Sequence, residues 1–281
     1  MFGYLFLGIL FLFVKQPRLT FASFLAAGLL ALHLKVSTNS DLKSPEVTEN
    51  AALIKVAHID ISGITDDPEG LVASIVQSDA SLISIPNLDP SVYGYLQQEL
   101  RTAFPHNTGL IGIEPSMAVF SRYAIEKQDT FFFDGLPNIS GCIKTEGNGQ
   151  EWHFITSNTL PPFYSKEYQR LQNQLIEVAE RAKDIEAPII TVADYNLVPW
   201  QVEILDFRES TKLQDSRRGF SPASATSFLG GLFGLPHEHI FHTDHFKCVS
   251  FNNLKYSTGH LGIIGTFQFK PKHIYAEGTN Q

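Results

Sequence analysis

Apolar and polar positions alternate along this chain in two regimes. Up to Leu34 the pattern is dominated by two uncharged stretches, Phe2 to Val14 (FGYLFLGILFLFV) and Thr20 to Leu34 (TFASFLAAGLLALHL), separated by Lys15-Gln16-Pro17-Arg18. A membrane-spanning helix needs about 20 consecutive apolar residues, so each stretch is short alone. Joined as one helix they would hold Lys15, Pro17 and Arg18 in the middle of the bilayer, which is costly. The pattern therefore predicts a transmembrane helical hairpin over 1–35, with its basic turn on the cytoplasmic side. That topology leaves the rest of the chain outside the cytoplasm. A cleaved signal peptide fits less well, because a charged leading region is missing and the apolar stretch is interrupted and too long. Residues 36–51 are rich in Ser, Thr, Asn and charge and read as a linker, 52–272 as one soluble domain, and 273–281 as a tail.

In the second regime, apolar runs of strand length alternate with turns and a few helical patterns. Leu53 to Ile61 (LIKVAHIDI) is apolar and β-branched enough for a buried strand, as is the SLISIP run ending at Pro86. Helical spacing occupies Pro68 to Gln77 and Pro90 to Ala103, the latter with Asp89 as N-cap. Met117 to Ser121, Ile139 to Lys144 and Trp152 to Ser157 read as further strands. The clearest helix is Ser165 to Asp184, where Leu171, Leu175, Val178, Ala179 and Ala182 form one apolar stripe. Ser165 is expected to cap it, with Glu167 in the first turn. Pro188 to Ala193 then reads as a fully buried strand ending in Asp194, and His239–His242, Phe246–Ser250 and Ile263–Phe269 close the series. Strand pairs interleaved with helices predict two packed sheets with helices outside.

Composition narrows the partners. The 281-residue chain carries a net charge of −8, which supplies no overall basic patch for phosphate backbones and argues against a nucleic-acid partner. Cys142 and Cys248 match neither a zinc spacing nor a CxxC pattern and read as buried thiols. A disulfide between them is the minority reading, open only in an oxidising compartment.

Five short motifs, in order, carry a resemblance. Val192-Ala-Asp-Tyr-Asn-Leu-Val-Pro-Trp200, Ser121-Arg-Tyr-Ala-Ile125, Leu213-Gln-Asp-Ser-Arg-Arg-Gly219 followed by Pro222, His237-Glu-His-Ile-Phe241 and Ser257-Thr-Gly-His260 resemble segments of the endonuclease/exonuclease/phosphatase superfamily, in particular of its membrane-anchored bacterial branch. Their spacing agrees from about Leu53 to Phe269. The resemblance implies a four-layer α/β/β/α sandwich of two mixed sheets, preceded here by the transmembrane hairpin. It also implies a bacterial inner-membrane protein whose soluble domain faces the periplasm or the cell exterior.

The superfamily's chemistry uses a divalent cation, Mg²⁺ or Mn²⁺, held by oxygen ligands against a phosphate, an Asp that orients water, and a His that stabilises or protonates the phosphoryl group. By resemblance, Asp194 and Asn196 form the D-x-N pair, His260 is the final His, and Glu238 stands in place of an aspartate. Asp60 and Asn87 occupy the metal-binding positions, where the family has Asn and Glu. Asn158 replaces the phosphate-facing His, and Gly259 replaces an aspartate. An amide cannot act as a proton donor near neutral pH, and glycine offers no side chain. Losses in a site that acts as a unit are strongly non-additive. The expectation is a catalytically impaired binding or scaffold module at the membrane, whose partner is a phosphorylated small molecule or lipid head group. The alternative is an active metal-dependent phosphoesterase using Asp60, Asp194, Glu238 and His260. The cluster His237, His239, His242 and His245 reads as a His-rich strand end and loop rather than a transition-metal site; by alternation His237 and His239 share one face, Glu238 and His242 the other.

Overall fold

The computed structural model describes residues 2–38, 47, 52–61, 67–145, 149–220, 235–256 and 259–270. Most of the expected linker, the tail, Pro222, Ser257 and Thr258 lie outside the described residues.

The two apolar stretches form helices α1 (Phe2–Phe13) and α2 (Pro17–Thr38), joined through a turn in which Lys15 takes a positive φ of 55°. They pack on each other where Gly8 lies under the ring of Phe24: a Cβ at residue 8 would stand 3.0 Å from that ring. α2 takes in the first three residues of the expected linker. Among the described residues no helix is long and apolar enough to cross a membrane. The expected spanning hairpin is corrected to that extent. At 1.5 Å per residue, the 12 residues of α1 reach only about 18 Å, against a hydrocarbon layer of about 30 Å.

The remaining elements are β1 (Leu53–Ile59), α3 (Pro68–Gln77), β2 (Leu82–Pro86), α4 (Pro90–Glu99), β3 (His106–Leu110), β4 (Met117–Ser121), β5 (Ile125–Phe133), β6 (Leu136–Lys144) and β7 (Glu151–Asn158). After these come α5 (Ser165–Lys183), β8 (Ile189–Asp194), α6 (Val202–Thr211), β9 (Gln214–Asp215), β10 (Glu238–His242), β11 (Phe246–Tyr256) and β12 (Gly259–Phe269). They build two six-stranded sheets, ordered β11-β12-β1-β2-β4-β3 and β5-β6-β7-β8-β10-β9. Each sheet holds one parallel pair, β1–β2 and β7–β8, amid antiparallel neighbours. A helix makes each parallel crossover, α3 in the first sheet and α5 in the second, as parallel pairing requires.

Three apolar clusters define the layers. Ile54, Val56, Val119, Trp152, Phe154, Val192, Ile240 and Phe267 fill the space between the sheets. Leu71, Ile75, Leu96 and Phe104 cover the outer face of the first sheet. Leu171, Leu175, Val178, Ile204 and Phe207 cover that of the second. The stripe read from residues 165–184 is therefore the buried face of α5, and each such side chain taken from water contributes about 1.5–3 kcal/mol.

Four sequence expectations need correction. α5 is capped at Tyr164 without a side-chain hydrogen bond, so Ser165 is its first helical residue instead of its cap. α4 stops at Glu99, while Asp89 does cap it, accepting from the Ser91 amide at 2.8 Å. β11 runs on to Tyr256 and β12 begins at Gly259, so His260 sits within a strand. Helix α6 and strands β3, β5 and β9 had no distinct pattern: β5 is mostly exposed, with Glu126, Lys127, Gln128 and Asp129 along it, and α6 buries only Ile204 and Phe207. The two cysteines are free and buried.

Candidate active site

The carboxyl ends of both parallel pairs meet at one end of the sandwich, the place where α/β sheets ordinarily bind ligands. In the second sheet the ladder sets three polar side chains abreast. Asn158 ends β7 opposite Asp194 on β8, and Asp194 in turn faces Glu238 on β10. From the first sheet come Asp60, just beyond β1, and Asn87, just beyond β2 with φ 55°. The Asn158 amide nitrogen donates to the Asn87 side-chain oxygen at 2.8 Å, which ties the two sheets together. His260 on β12 reaches across to Glu238, its Nε2 2.8 Å from Oε2.

Asp194 is buried and engaged on one oxygen by two donors. Its Oδ1 accepts the Asn196 backbone N–H at 2.8 Å and lies 2.9 Å from His237 Nδ1. Burial pushes the Asp194 carboxyl up, but the hydrogen bond and charge of His237, the nearby His58 and the Asn196 amide together hold it below its ordinary value. His237 moves the opposite way. Burial pushes its imidazole down, while Asp194, Glu238 and Asp60 raise it above the ordinary histidine range. Asn196 closes the loop: its side-chain amide donates to the carbonyl and hydroxyl of Thr159, and the Thr159 hydroxyl donates to the Asp194 carbonyl.

All seven residues expected at the site thus converge on this end, but not in the arrangement that a divalent cation needs. Asn87 spends its oxygen on Asn158, Asp194 is paired with His237, and Glu238 is paired with His260. Among the described residues, no three His, Cys, Asp or Glu ligand atoms at this end lie within 4.8 Å of one another. Asp60, Asp194 and Glu238 are the carboxylates at this end, and Asp194 and Glu238 each hold a histidine on one oxygen. The residues present do not fit a ready Mg²⁺ or Mn²⁺ cage.

Two site groups were not singled out from sequence. His237 was read only as part of a His-rich stretch, although its place one residue before Glu238 put it beside Asp194. His58, two residues before Asp60 on the same strand face, is fully buried, and neither ring nitrogen has a hydrogen-bond partner among the described residues. Glu238 Oε1 is likewise buried and has no partner among the described residues. His239 and His242 are structural. Burial pushes His239 down to about 3 and His242 to about 4, keeping both neutral. His239 stacks on Phe241, and His242 meets the Ser216 hydroxyl at 2.9 Å.

The site opens on two pockets. One, of about 430 Å³, is lined by Asn196, Val198, Trp200, Gln201, Leu235 and His237. The other, of about 480 Å³, runs from Asn87 and Asp89 to Glu114 and Leu160.

Two mixed six-stranded sheets with this order and rim define the endonuclease/exonuclease/phosphatase fold. Solved structures of that fold superpose on the chain. An endonuclease/exonuclease/phosphatase family protein from Bacteroides thetaiotaomicron aligns with a TM-score of 0.64 at 16% identity, covering 79% of this chain and 99% of that one. The mannosyl-6-phosphatase Bt3783 of the same organism gives 0.63 at 15% identity, over 77% and 100% of the two chains. The human Nocturnin catalytic domain, solved with a sulfate anion, gives 0.62 at 12%, over 78% and 95%. No family model matches the chain, and no curated protein matches it in sequence.

The Asp194–His237 pair sets a pH signature. His237 is raised, so its contribution to stability is complete below the unfolded imidazole value of about 6.5 and is lost as pH rises through the folded value. Asp194 is lowered, so its contribution is complete above about 3.9 and is lost as pH falls through its folded value. His237→Gln keeps a donor but removes the charge. It is expected to cost about 1–3 kcal/mol in urea unfolding near pH 5.5, and markedly less at pH 9. An equal loss at both pH values would remove the ion pair from the account.

Proposed function

We propose that this chain is a catalytically impaired protein of the endonuclease/exonuclease/phosphatase fold that acts as a binding or scaffold module at a membrane. One observation carries the reading: Asn87 is held by Asn158, Asp194 by His237 and Glu238 by His260, and among the described residues no three ligand atoms of the rim gather within 4.8 Å of one another. A phosphoesterase of this fold needs oxygen ligands free to take a cation, and a proton donor facing the phosphate. Here the position expected to hold that donor carries Asn158, and the position of a further carboxylate carries Gly259. A phosphorylated small molecule or a lipid head group is the ligand class proposed for the two pockets beside His237 and Asn87.

Membrane attachment rests on the first two helices. Phe2, Phe6, Ile9, Leu12, Phe13, Leu19, Phe21 and Leu32 are each about half exposed or more, an apolar surface far beyond what a soluble protein leaves in water. We assign this surface to the apolar layer of a bacterial inner membrane, with the sandwich on the periplasmic or outer side. A periplasmic reporter fused after Gln281 is expected to be active and a cytoplasmic reporter silent. The reverse pattern would overturn the topology, and recovery of the intact chain in the soluble fraction would overturn attachment.

Activity separates impairment from its alternative, a rearranged metal-dependent esterase. The full-length protein in detergent is expected to show little or no hydrolysis of generic phosphodiesters or phosphomonoesters with Mg²⁺ or Mn²⁺. Single restorations should do little. The triple change Asn87→Glu, Asn158→His and Gly259→Asp should raise the rate well beyond the product of the single effects. The backbone permits the last change, since a Cβ at residue 259 meets nothing closer than the Tyr256 carbonyl at 3.6 Å. Wild-type turnover that disappears in Asp194→Ala would refute impairment.

A further inference from the structure

A second group of metal-ligating side chains lies at the other end of β7, away from the rim. Cys142 on β6 and His153 on β7 are direct cross-strand partners, and Glu151 stands two residues before His153 on the same face. One ligand atom from each, the thiol sulfur, a carboxylate oxygen and an imidazole nitrogen, can be chosen so that all lie within 4.8 Å of one another. Along the neighbouring strand, Glu126 is the direct partner of Cys142, which puts a further carboxylate beside the group. The distance along β7 from Glu151 to Asn158 is about 20 Å at the usual rise per residue, so this group shares no residue with the rim.

We propose that Cys142, Glu151 and His153 form a binding site for a zinc-class divalent cation, with water or Glu126 as its fourth ligand. The donor set is one that such an ion takes: thiolate, imidazole and carboxylate, with three protein ligands and one open position. The spacing agrees. His153 Nε2 and Glu151 Oε1 are 3.7 Å apart, too long for a hydrogen bond. It is close to the edge of about 3.4 Å that two ligands at zinc–nitrogen and zinc–oxygen bond lengths make in a tetrahedron. The sheet fixes the backbone of all three ligands, so small side-chain rotations close the site. Cys142 is buried, whereas His153 and Glu151 keep 20% and 39% of their side chains open to solvent, which gives an ion a way in. Lys127 now sits at the group, its ammonium 3.2 Å from Glu151 Oε1. That lysine is 68% exposed, and an exposed pair of this kind adds little to stability, so an entering ion displaces it readily. Binding converts the Cys142 thiol to thiolate and releases its proton to solvent. The inference is independent of what the rim does.

Cobalt(II) is the probe. Titrated into chelator-stripped full-length protein in detergent, it is expected to bind as a single ion, giving a thiolate-to-metal charge-transfer band in the near ultraviolet and the strong visible bands of tetrahedral coordination. Zinc should bleach both. Cys142→Ser should abolish the charge-transfer band and Cys248→Ser should leave it intact. Glu151→Gln, at a position exposed enough to leave the fold in place, should keep the band but weaken binding by more than about tenfold. Absence of a charge-transfer band in the wild type would overturn the assignment. A band that survives Cys142→Ser, or depends on Cys248, would do the same, and so would an affinity unchanged in both Glu151→Gln and His153→Gln.

Discussion

A carboxylate withdrawn from water must be met by donors, and at the rim of this sandwich that requirement governs every other contact. Asp194 is buried at the end of a central strand, and the ladder sets Glu238 directly opposite it. Like charges facing each other across a strand pair are destabilising, and an unpaired buried charge costs several kcal/mol. Each acid is therefore given its own histidine, His237 for Asp194 and His260 for Glu238. On its other side Asp194 faces the neutral amide of Asn158 and no further charge. The same pairings that make the site stable leave it little freedom to take a cation.

The scaffold holds these pairs in place through backbone contacts. His260 can meet Glu238 because β12 approaches β1 closely where Gly262 faces Ile59. Gly262 has φ 155°, and a Cβ there would stand 1.9 Å from the His58 carbonyl, so only glycine keeps the two strands at this separation. Below Glu238, the guanidinium of Arg217 donates to its carbonyl, lies 3.6 Å from the Asp215 carboxylate and stacks over Phe251 at 5.4 Å, fully buried. The Asp-Ser-Arg motif thus serves to fix the strand that carries Glu238.

Most of the sandwich was legible in the sequence because its central strands are apolar on both faces. LISIP, IITVAD and MAVFS are buried at every position. Edge elements were not. β5 mixes exposed charge with a bulge after Glu126, and β3 is short and polar, so neither has a hydrophobic period to detect. The motifs mark turns that must end particular strands: Asp194 before Asn196 at the rim, and Ser121, with both hydrogen bonds to Tyr123, at the opposite end of the first sheet, where it pairs with Leu82. What the motifs could not carry is which side chain meets which. The Asn87–Asn158 and Asp194–His237 contacts join residues separated by 71 and 43 positions; the first exists only once two sheets are stacked, the second only once β10 pairs with β8. The zinc-class group was hidden for a related reason. Cys142 and His153 are neighbours by strand register, not by a sequence spacing.

The most direct test of a paired rim is to follow the imidazole resonances of His237 by NMR across pH, with and without Mg²⁺. A carboxylate that takes a cation gives up part of its hold on a histidine proton, and the imidazole pKa falls accordingly. The closed site predicts that His237 titrates above the ordinary histidine range, and that millimolar Mg²⁺ leaves its titration where it was. A Mg²⁺-dependent fall in the His237 pKa would show its carboxylate partner passing to a metal, and would contradict the account.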